Sequence, residues 1–452
     1  MAEFTIEEIC LATQGKVRDL VNVQKVSGVS TDTRTVKAGD LFIPLVGEKY
    51  DGHDFIEEAV KNGAVAILSS RLDILVPPHI VLILVDDTML ALHGLARFHR
   101  QRFSVPIVGI TGSNGKTTTK DMIGAMLESR YKVLKTEANY NNEIGLPMTL
   151  LQLNLQHEVA VVEMGMRGKG QIRQLAEIAL PTVAVITNVG ETHIELLGSI
   201  EEIAAAKAEL LEVIPESGLI VLNADNHYVL EMAKGVNNRI TLFGLKHGDI
   251  RAEQIQRDRN GMKFTCISSH GDFVVSIPTV GKHNVYNALA AIAVGFELGL
   301  QVQDIQKGMD SFNASPMRLH MEEMGDYLVI NDAYNASPMS MAAAIDTLMD
   351  VAQDRKVAVL GDMLELGEFG LEAHRQIGET VARCQVDVLV TVGELAAHIA
   401  ASALEQGVEI AVACKDHNEA SIALKEVLIP GDTILIKGSR GMKMEKMVNL
   451  FL

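Results

Sequence analysis

Short apolar runs alternate with longer amphipathic stretches over most of the chain. In the middle of the sequence, four β-branched runs are strand-like: 106–110, 159–163, 182–187 and 219–222. A second set of strand-like runs lies nearer the end: 327–330, 356–360, 386–392 and 433–436. Because strands that alternate with helices form parallel sheets covered by helices, the pattern predicts an α/β fold.

Two breaks that contain proline divide this pattern. The helical stretch 89–102 is followed by Pro106, and a second break lies at residues 312–316. We therefore predict three domains, with these bounds: 1–104, 105–315 and 316–452. The first is expected to be a smaller N-terminal α/β domain, the second a parallel-sheet domain and the third an open, Rossmann-like α/β domain.

Composition limits the classes of function. The 452-residue chain is 48% hydrophobic and 22% charged, which is typical of a folded globular protein. Its formal net charge of -18 argues against a nucleic-acid partner, so an anionic ligand must bind in a local pocket. Widely spaced cysteines predict reduced thiols rather than disulfides or a zinc site: Cys10, Cys266, Cys384 and Cys414. The chain lacks an export signal and a membrane-inserting segment, so we expect a cytoplasmic protein.

A glycine-rich loop follows the first strand of the middle block. Its residues are Thr111, Gly112, Ser113, Asn114, Gly115, Lys116 and Thr117. Glycines let backbone amides surround phosphate oxygens, Lys116 supplies a cation and the Thr117 hydroxyl can bind Mg²⁺. Ile110 stands where the common pattern has its first glycine, which places the loop in a subset of P-loop proteins. The central domain is therefore predicted to be a P-loop domain that binds a nucleoside triphosphate.

Three later side chains indicate a metal site. Glu163 ends a buried-type strand, where open α/β sheets present ligand-binding groups, although a solvated strand-end acid fits the segment equally well. His193 follows the next strand and, in isolation, also fits a surface position. Lys207 lies on the apolar stripe of a helix that opens with a capping-box pattern at Ser199. Such a lysine extends to solvent, pairs with an acid or is modified, and a carbamate would make it an anionic metal ligand.

Four residues further along the chain could complete a nucleotide site. Asn284 and Asn287 start an alanine-rich helix, where they could cap the helix, fix a loop or contact a base. Arg318 and Asp332 lie in the third domain and fit ordinary surface positions in isolation. Together, Arg318 and Asp332 could contact a phosphate and a ribose from this second domain of the site.

The motifs occur in an order that resembles the Mur ligases, the ATP-dependent amide-bond enzymes of bacterial cell-wall precursors. The matching segments are 111–118, 161–165, 188–193, 204–207, 283–288, 317–318 and 331–335. The resemblance implies ATP and Mg²⁺, with Lys116 on the β- and γ-phosphates, Thr117 and Glu163 on one metal ion, and His193 with carbamylated Lys207 on a second. It also implies Asn287 near adenine, Arg318 near the γ-phosphate and Asp332 near the ribose. Lys116, His193, Lys207 and Arg318 are then the catalytic group.

Within that family, segment 139–147 resembles the branch that adds a dipeptide to a UDP-linked tripeptide. Asn142 would face the substrate there, or it would belong to a polar loop that caps the next helix. The branch that adds a diamino acid carries an Asp-Asn-Pro-Arg motif, which the third block lacks. The resemblance thus implies UDP-N-acetylmuramoyl-tripeptide and D-alanyl-D-alanine as substrates. Asn335 and Ser337 would contact the dipeptide, or merely form a turn before a helix.

The N-terminal block resembles the family domain that grips the UDP-sugar. Its candidate contacts are Ser30, Thr31 and Arg34, for which turn and sheet-edge roles are the alternatives. The run 438–441 is also family-like, with its role left open, and we expect a monomer.

Two other functions compete with this one. Folylpolyglutamate synthase shares the P-loop style and acyl-phosphate chemistry, but the UDP-type N-terminal block argues against it. A nucleotide-operated switch would leave Lys207, Asn335 and the first domain unexplained.

Overall fold

A computed structural model of the chain describes residues 2–18, 23–258 and 261–451. Its N-terminal part contains these strands: β1 Phe4–Thr5, β2 Lys16–Val17, β3 Lys25–Val26, β4 Gly28–Ser30, β5 Asp40–Phe42, β6 Ala66–Ser69 and β7 Val81–Leu84. The helices of this part are α1 Ile6–Thr13, α2 Ile56–Lys61 and α3 Thr88–Arg100. The sheet runs β2-β7-β6-β5-β4 and is parallel except for β2, while β1 and β3 form a separate antiparallel pair.

The central part contains the largest sheet. Its strands are β8 Ile107–Thr111, β9 Val133–Lys135, β10 Val159–Glu163, β11 Val183–Ile186, β12 Leu219–Asn223, β13 Arg239–Gly244, β14 Ile250–Asp258, β15 Gly261–Ile267 and β16 Phe273–Ile277. Its helices are α4 Lys116–Leu127, α5 Gly145–Leu150, α6 Gln171–Ala179, α7 Ile194–Leu197, α8 Ile200–Val213, α9 His227–Met232, α10 Lys282–Glu297 and α11 Val302–Asp310. The strand order is β16-β15-β14-β13-β12-β11-β8-β10-β9, and only β15 and β16 run antiparallel to their neighbours.

The C-terminal part is a second open sheet. Its strands are β17 His320–Met324, β18 Tyr327–Asp332, β19 Lys356–Gly361, β20 Val388–Val392, β21 Ile410–Cys414 and β22 Thr433–Lys437. Its helices are α12 Pro338–Val351, α13 Gly370–Arg383, α14 Ala397–Glu405, α15 His417–Val427 and α16 Glu445–Val448. The order β17-β18-β22-β19-β20-β21 is parallel apart from β17.

The predicted α/β architecture of three parts is confirmed. Every residue of β8, β10, β11 and β12 is buried, as expected for parallel strands covered on both faces. Predicted strands match the observed ones to within two residues; the largest shifts are at 327–330, observed as Tyr327–Asp332, and at 386–392, observed as Val388–Val392. The predicted domain bounds stay predictions, although the strands of each sheet fall within one predicted domain. Within the described ranges, no helix combines the length and apolar character needed to cross a membrane.

A buried arginine joins the N-terminal and central parts. At the end of α3, Arg100 donates from Nε to the Ala179 carbonyl at 2.9 Å and from Nη1 to the Phe103 carbonyl at 2.5 Å. Its Nη2 donates to the carbonyls of Val105 at 3.0 Å and Leu180 at 3.4 Å. The Arg100 guanidinium thus donates hydrogen bonds to backbone carbonyls of both the connector after α3 and the end of α6.

We expect Arg100→Met to lower the urea midpoint of unfolding by the equivalent of about 2–4 kcal/mol, because four backbone carbonyls lose the hydrogen bonds of a buried charged donor. Arg97→Met is the matched control, since Arg97 lies exposed on the same helix. Equal midpoints for the two variants would contradict this role of Arg100.

Candidate active site

The phosphate loop is a sharp turn between β8 and α4. Gly115 begins α4 with a φ of 83°, a left-handed conformation that side chains disfavour. A Cβ atom at Gly115 would also lie 2.5 Å from Asn287 Oδ1, so only glycine fits. Residues 112–118 all line the cavity, which is the placement that a phosphate-binding loop requires.

Residues after β11 support the loop from behind. Asn114 N donates to Asn188 Oδ1 at 2.8 Å, and Ser113 Oγ donates to the Gly190 carbonyl at 2.9 Å. Lys116 Nζ donates to the Gly112 carbonyl at 2.7 Å, and burial lowers the pKa of this amine. Segment 188–193, predicted to lie at the same sheet edge as the loop, is thus in direct contact with it.

Glu163 lies against the phosphate loop, at the end of β10. Its Oε2 accepts from Thr117 Oγ1 at 2.8 Å and its Oε1 accepts from Asn141 Nδ2 at 2.7 Å. The Glu163 side chain is buried. A hydroxyl and a carboxylate side by side suit Mg²⁺, which usually takes few protein ligands and completes its shell with phosphate and water. No cluster of three or more His, Cys, Asp or Glu arranged for a metal occurs in the part of the chain that the structure describes.

His193 and Lys207 line the same cavity as Glu163. His193 has a left-handed φ of 60°, and its Nδ1 lies 2.5 Å from Glu365 Oε2 of the C-terminal part. Burial lowers the pKa of His193, against the opposing effect of the Glu365 carboxylate. Lys207 is 2% exposed, and no residue described here lies within hydrogen-bond or ion-pair distance of its Nζ. Burial, and secondarily the charge of Lys116, places the pKa of Lys207 well below its ordinary value.

Two residues of the C-terminal part reach this cavity. Arg318 Nη2 donates to Thr117 Oγ1 at 2.9 Å, so a predicted phosphate contact of the third domain touches a predicted metal ligand of the loop. Asp332 Oδ1 accepts from Leu319 N at 3.2 Å, and Asp332 Oδ2 accepts from the buried Lys437 Nζ at 2.5 Å. The structure therefore brings Arg318 to the phosphate loop, and Asp332 lines the same cavity.

Asn287 faces the loop rather than capping a helix. Its Oδ1 accepts from Thr119 Oγ1 at 3.2 Å, and its Nδ2 donates to Asn284 Oδ1 at 3.0 Å. Helix α10 begins after Gly281 without a side-chain cap. The capping interpretation of these asparagines is thus wrong, and the contact of Asn287 with adenine stays a prediction.

The candidate substrate residues have local roles as well. Asn142 Oδ1 accepts from Gly145 N at 2.9 Å at the start of α5. This contact fits the alternative prediction, in which Asn142 belongs to a polar loop that caps the next helix. Ser337 is the N-cap of α12, and its Oγ also donates to Asn114 Oδ1 of the phosphate loop at 3.2 Å. Asn335 is exposed and lines the cavity.

Of the three N-terminal candidate residues, the structure places one at the cavity. Thr31 lines the cavity, which has a volume of about 1450 Å³. Ser30 and Arg34 do not line it: Ser30 Oγ donates to the Asp32 carbonyl at 2.8 Å, and Arg34 Nη2 donates to Asp32 Oδ2 at 2.5 Å. Thr111 also lies behind the cavity wall, where its Oγ1 donates to the Met164 carbonyl at 3.0 Å.

Four polar or aromatic residues of the site were missed from the sequence: Asn141, Tyr334, Glu365 and Lys437. Asn141 and Tyr334 lie inside motifs that were noticed, but their partners are distant in sequence. Glu365 follows β19 and Lys437 is the last residue of β22. Both lie at or beyond the carboxyl end of a parallel strand, the position from which Glu163 was predicted.

A P-loop whose phosphate site is completed by a second open α/β domain defines a class of nucleotide-using enzymes with several domains. Three family models match this chain: "Mur ligase family, catalytic domain" at 25–100, "Mur ligase middle domain" at 110–295 and "Mur ligase, glutamate ligase domain" at 317–440. The UDP-N-acetylmuramoyl-tripeptide--D-alanyl-D-alanine ligase of Bacillus subtilis is 41% identical over 99% of this chain and 98% of the relative. The chain belongs to the Mur ligase family.

Solved structures agree with this assignment. A crystal structure of MurF from Acinetobacter baumannii has a TM-score of 0.93 and 32% identity, covering 100% of this chain and 99% of that one. The MurF ligase of Thermotoga maritima, solved in complex with ADP, has a TM-score of 0.85 and 30% identity, covering 94% and 97%.

Proposed function

We propose that this chain is an ATP-dependent ligase that joins D-alanyl-D-alanine to UDP-N-acetylmuramoyl-tripeptide. The observation that carries the proposal is the meeting of Glu163, Arg318 and the phosphate loop at the Thr117 hydroxyl. This arrangement supports a γ-phosphate site built from two domains, in a cavity that several of the candidate substrate residues also line. Full-length similarity to a ligase of that name supports the choice of substrates.

The reaction has two chemical steps. The tripeptide carboxylate attacks the γ-phosphorus of ATP, which forms an acyl phosphate and releases ADP. The dipeptide amine then attacks the acyl carbon, loses a proton and displaces inorganic phosphate, which leaves the new amide bond. Both reactants of the first step are anions, so the site must supply positive charge and alignment.

Residues of two domains supply that charge. Lys116 lies in the loop and Arg318 reaches it from the C-terminal part, so domain closure completes the site. Thr117 and Glu163 would hold one Mg²⁺, and His193 with carbamylated Lys207 a second, with Lys207 orienting metal rather than acting as nucleophile. Bound Mg²⁺ neutralises phosphate charge and orients the triphosphate.

The remaining contacts complete the proposal. Asn287 would lie at the adenine and Asp332 at the ribose. The UDP-sugar end would meet Thr31, the tripeptide Asn142, and the dipeptide Asn335 and Ser337. A cytoplasmic location and a monomeric state are proposed with them.

The decisive measurement is nucleotide turnover with defined substrates. We expect sustained ADP release over many turnovers only when UDP-N-acetylmuramoyl-tripeptide and D-alanyl-D-alanine are both present, because the first step consumes the tripeptide and the dipeptide is needed to consume the acyl phosphate that forms. Controls replace the dipeptide with L-lysine or diaminopimelate, or the UDP-tripeptide with a folate. Turnover without the dipeptide, or equal turnover with a control substrate, would rule out the proposed reaction.

A further inference from the structure

The Arg318 side chain is restrained by an aromatic ring. Its guanidinium carbon lies 4.1 Å from the centre of the Tyr334 ring, within the range of a cation–π contact. Among the described residues, no carboxylate lies within ion-pair distance of Arg318. The ring is therefore the group that holds this cation while its Nη2 donates to Thr117 Oγ1.

The backbone around Arg318 is held by the same loop that carries Tyr334. Met317 and Leu319 have left-handed φ values of 60° and 49°, which non-glycine residues adopt only when their surroundings impose it. Tyr334 N donates to the Met317 carbonyl at 3.2 Å, and Leu319 N donates to Asp332 Oδ1 at 3.2 Å. The end of β18 and the loop after it thus fix the residue on each side of Arg318.

We propose that Tyr334 is a positioning residue that aims Arg318 at the γ-phosphate, an inference that rests on the proposed function of Arg318. A carboxylate could hold the guanidinium equally well, but it would neutralise the charge that the phosphate needs. The face of an aromatic ring attracts the cation and leaves its net charge in place. Tyr334 therefore acts through Arg318 and takes no part in bond making.

The tyrosine hydroxyl is not needed for this role. Within the described ranges, it has no hydrogen-bond partner, so Tyr334→Phe keeps the aromatic ring that contacts Arg318. Tyr334→Leu removes the ring and keeps an apolar side chain. Tyr327→Leu is the matched control, because Tyr327 lies at the other end of β18, with its ring against Phe451.

The test compares the binding of ADP with that of a non-hydrolysable ATP analogue. We expect Tyr334→Leu to weaken the analogue about 10-fold, the size of a partly desolvated cation–π contact, while ADP binding stays unchanged. Tyr334→Phe and Tyr327→Leu should bind both nucleotides as the parent does. Equal weakening of ADP and the analogue by Tyr334→Leu would overturn the inference, since the ring would then act on the nucleotide itself.

A double-mutant cycle separates this inference from the proposed function. Arg318→Met should weaken the ATP analogue selectively, and Tyr334→Leu should add nothing in that background. If Arg318→Met leaves analogue binding intact, the proposed γ-phosphate role fails. If Arg318→Met weakens the analogue but Tyr334→Leu does not, only the positioning role of Tyr334 fails.

Discussion

Lys207→Ala is expected to lower kcat by a factor on the order of 100–1000, the loss typical of removing one electrostatic group from a reaction centre. Lys207 is buried on the apolar face of α8, lines the cavity and has no partner for its amine among the described residues. A buried amine without a partner is costly, and its lowered pKa favours the neutral form that adds CO₂. The carbamate formed in this way carries two oxygens and a negative charge.

Chemical rescue distinguishes a carbamate from a free cation. Short carboxylic acids such as acetate should restore part of the activity of Lys207→Ala, because they return a carboxylate to the vacated space. Lys207→Arg keeps a positive charge and should be as inactive as the alanine variant. Lys169→Ala is the control, since Lys169 is exposed and paired with Glu202. An active Lys207→Arg enzyme, or Lys207→Ala with full activity, would contradict the metal-ligand role.

Glu163→Gln is expected to lower kcat by a factor of about 100–1000 at ordinary Mg²⁺ concentrations and to raise the Mg²⁺ concentration that gives half-maximal activity. The substitution keeps the size of the side chain but removes the charge beside Thr117. Rates should therefore be measured over a Mg²⁺ titration at saturating ATP.

The matched control is a glutamate that lies just before the same strand. Glu158 precedes β10, is exposed and accepts only from the backbone nitrogen of Lys132 among the described residues, so Glu158→Gln should behave as the parent. An unchanged Mg²⁺ dependence in Glu163→Gln would exclude this carboxylate as a metal ligand.

The sequence predicted most reliably what depends on strand ends and helix periodicity. Glu163 and segment 188–193 meet the phosphate loop because parallel strands finish at one edge of the sheet. The spacing of Ile203, Lys207 and Leu210 likewise predicted the buried face of α8. Both patterns are local, so they can be read along the chain.

Contacts between distant segments could not be predicted in this way. Glu365 lies 172 positions from His193, and Tyr334 meets Arg318 only because the exit of β18 folds back over it. Ser199 shows a smaller limit: its side chain accepts from Glu202 N as predicted, but the return bond of a capping box is not formed. A motif therefore indicates which groups are present, while the packing of the sheets decides what each group touches.

Arg100 has a consequence for inhibitor design. Because it joins the end of α3 to the end of α6 in the central part, we expect the first two parts to move as one rigid body. We expect the hinge of the third part to lie near Ser315, whose hydroxyl donates to Asp121 on the phosphate-loop helix at 2.5 Å. A compound bound at that hinge would stop turnover without resembling ATP.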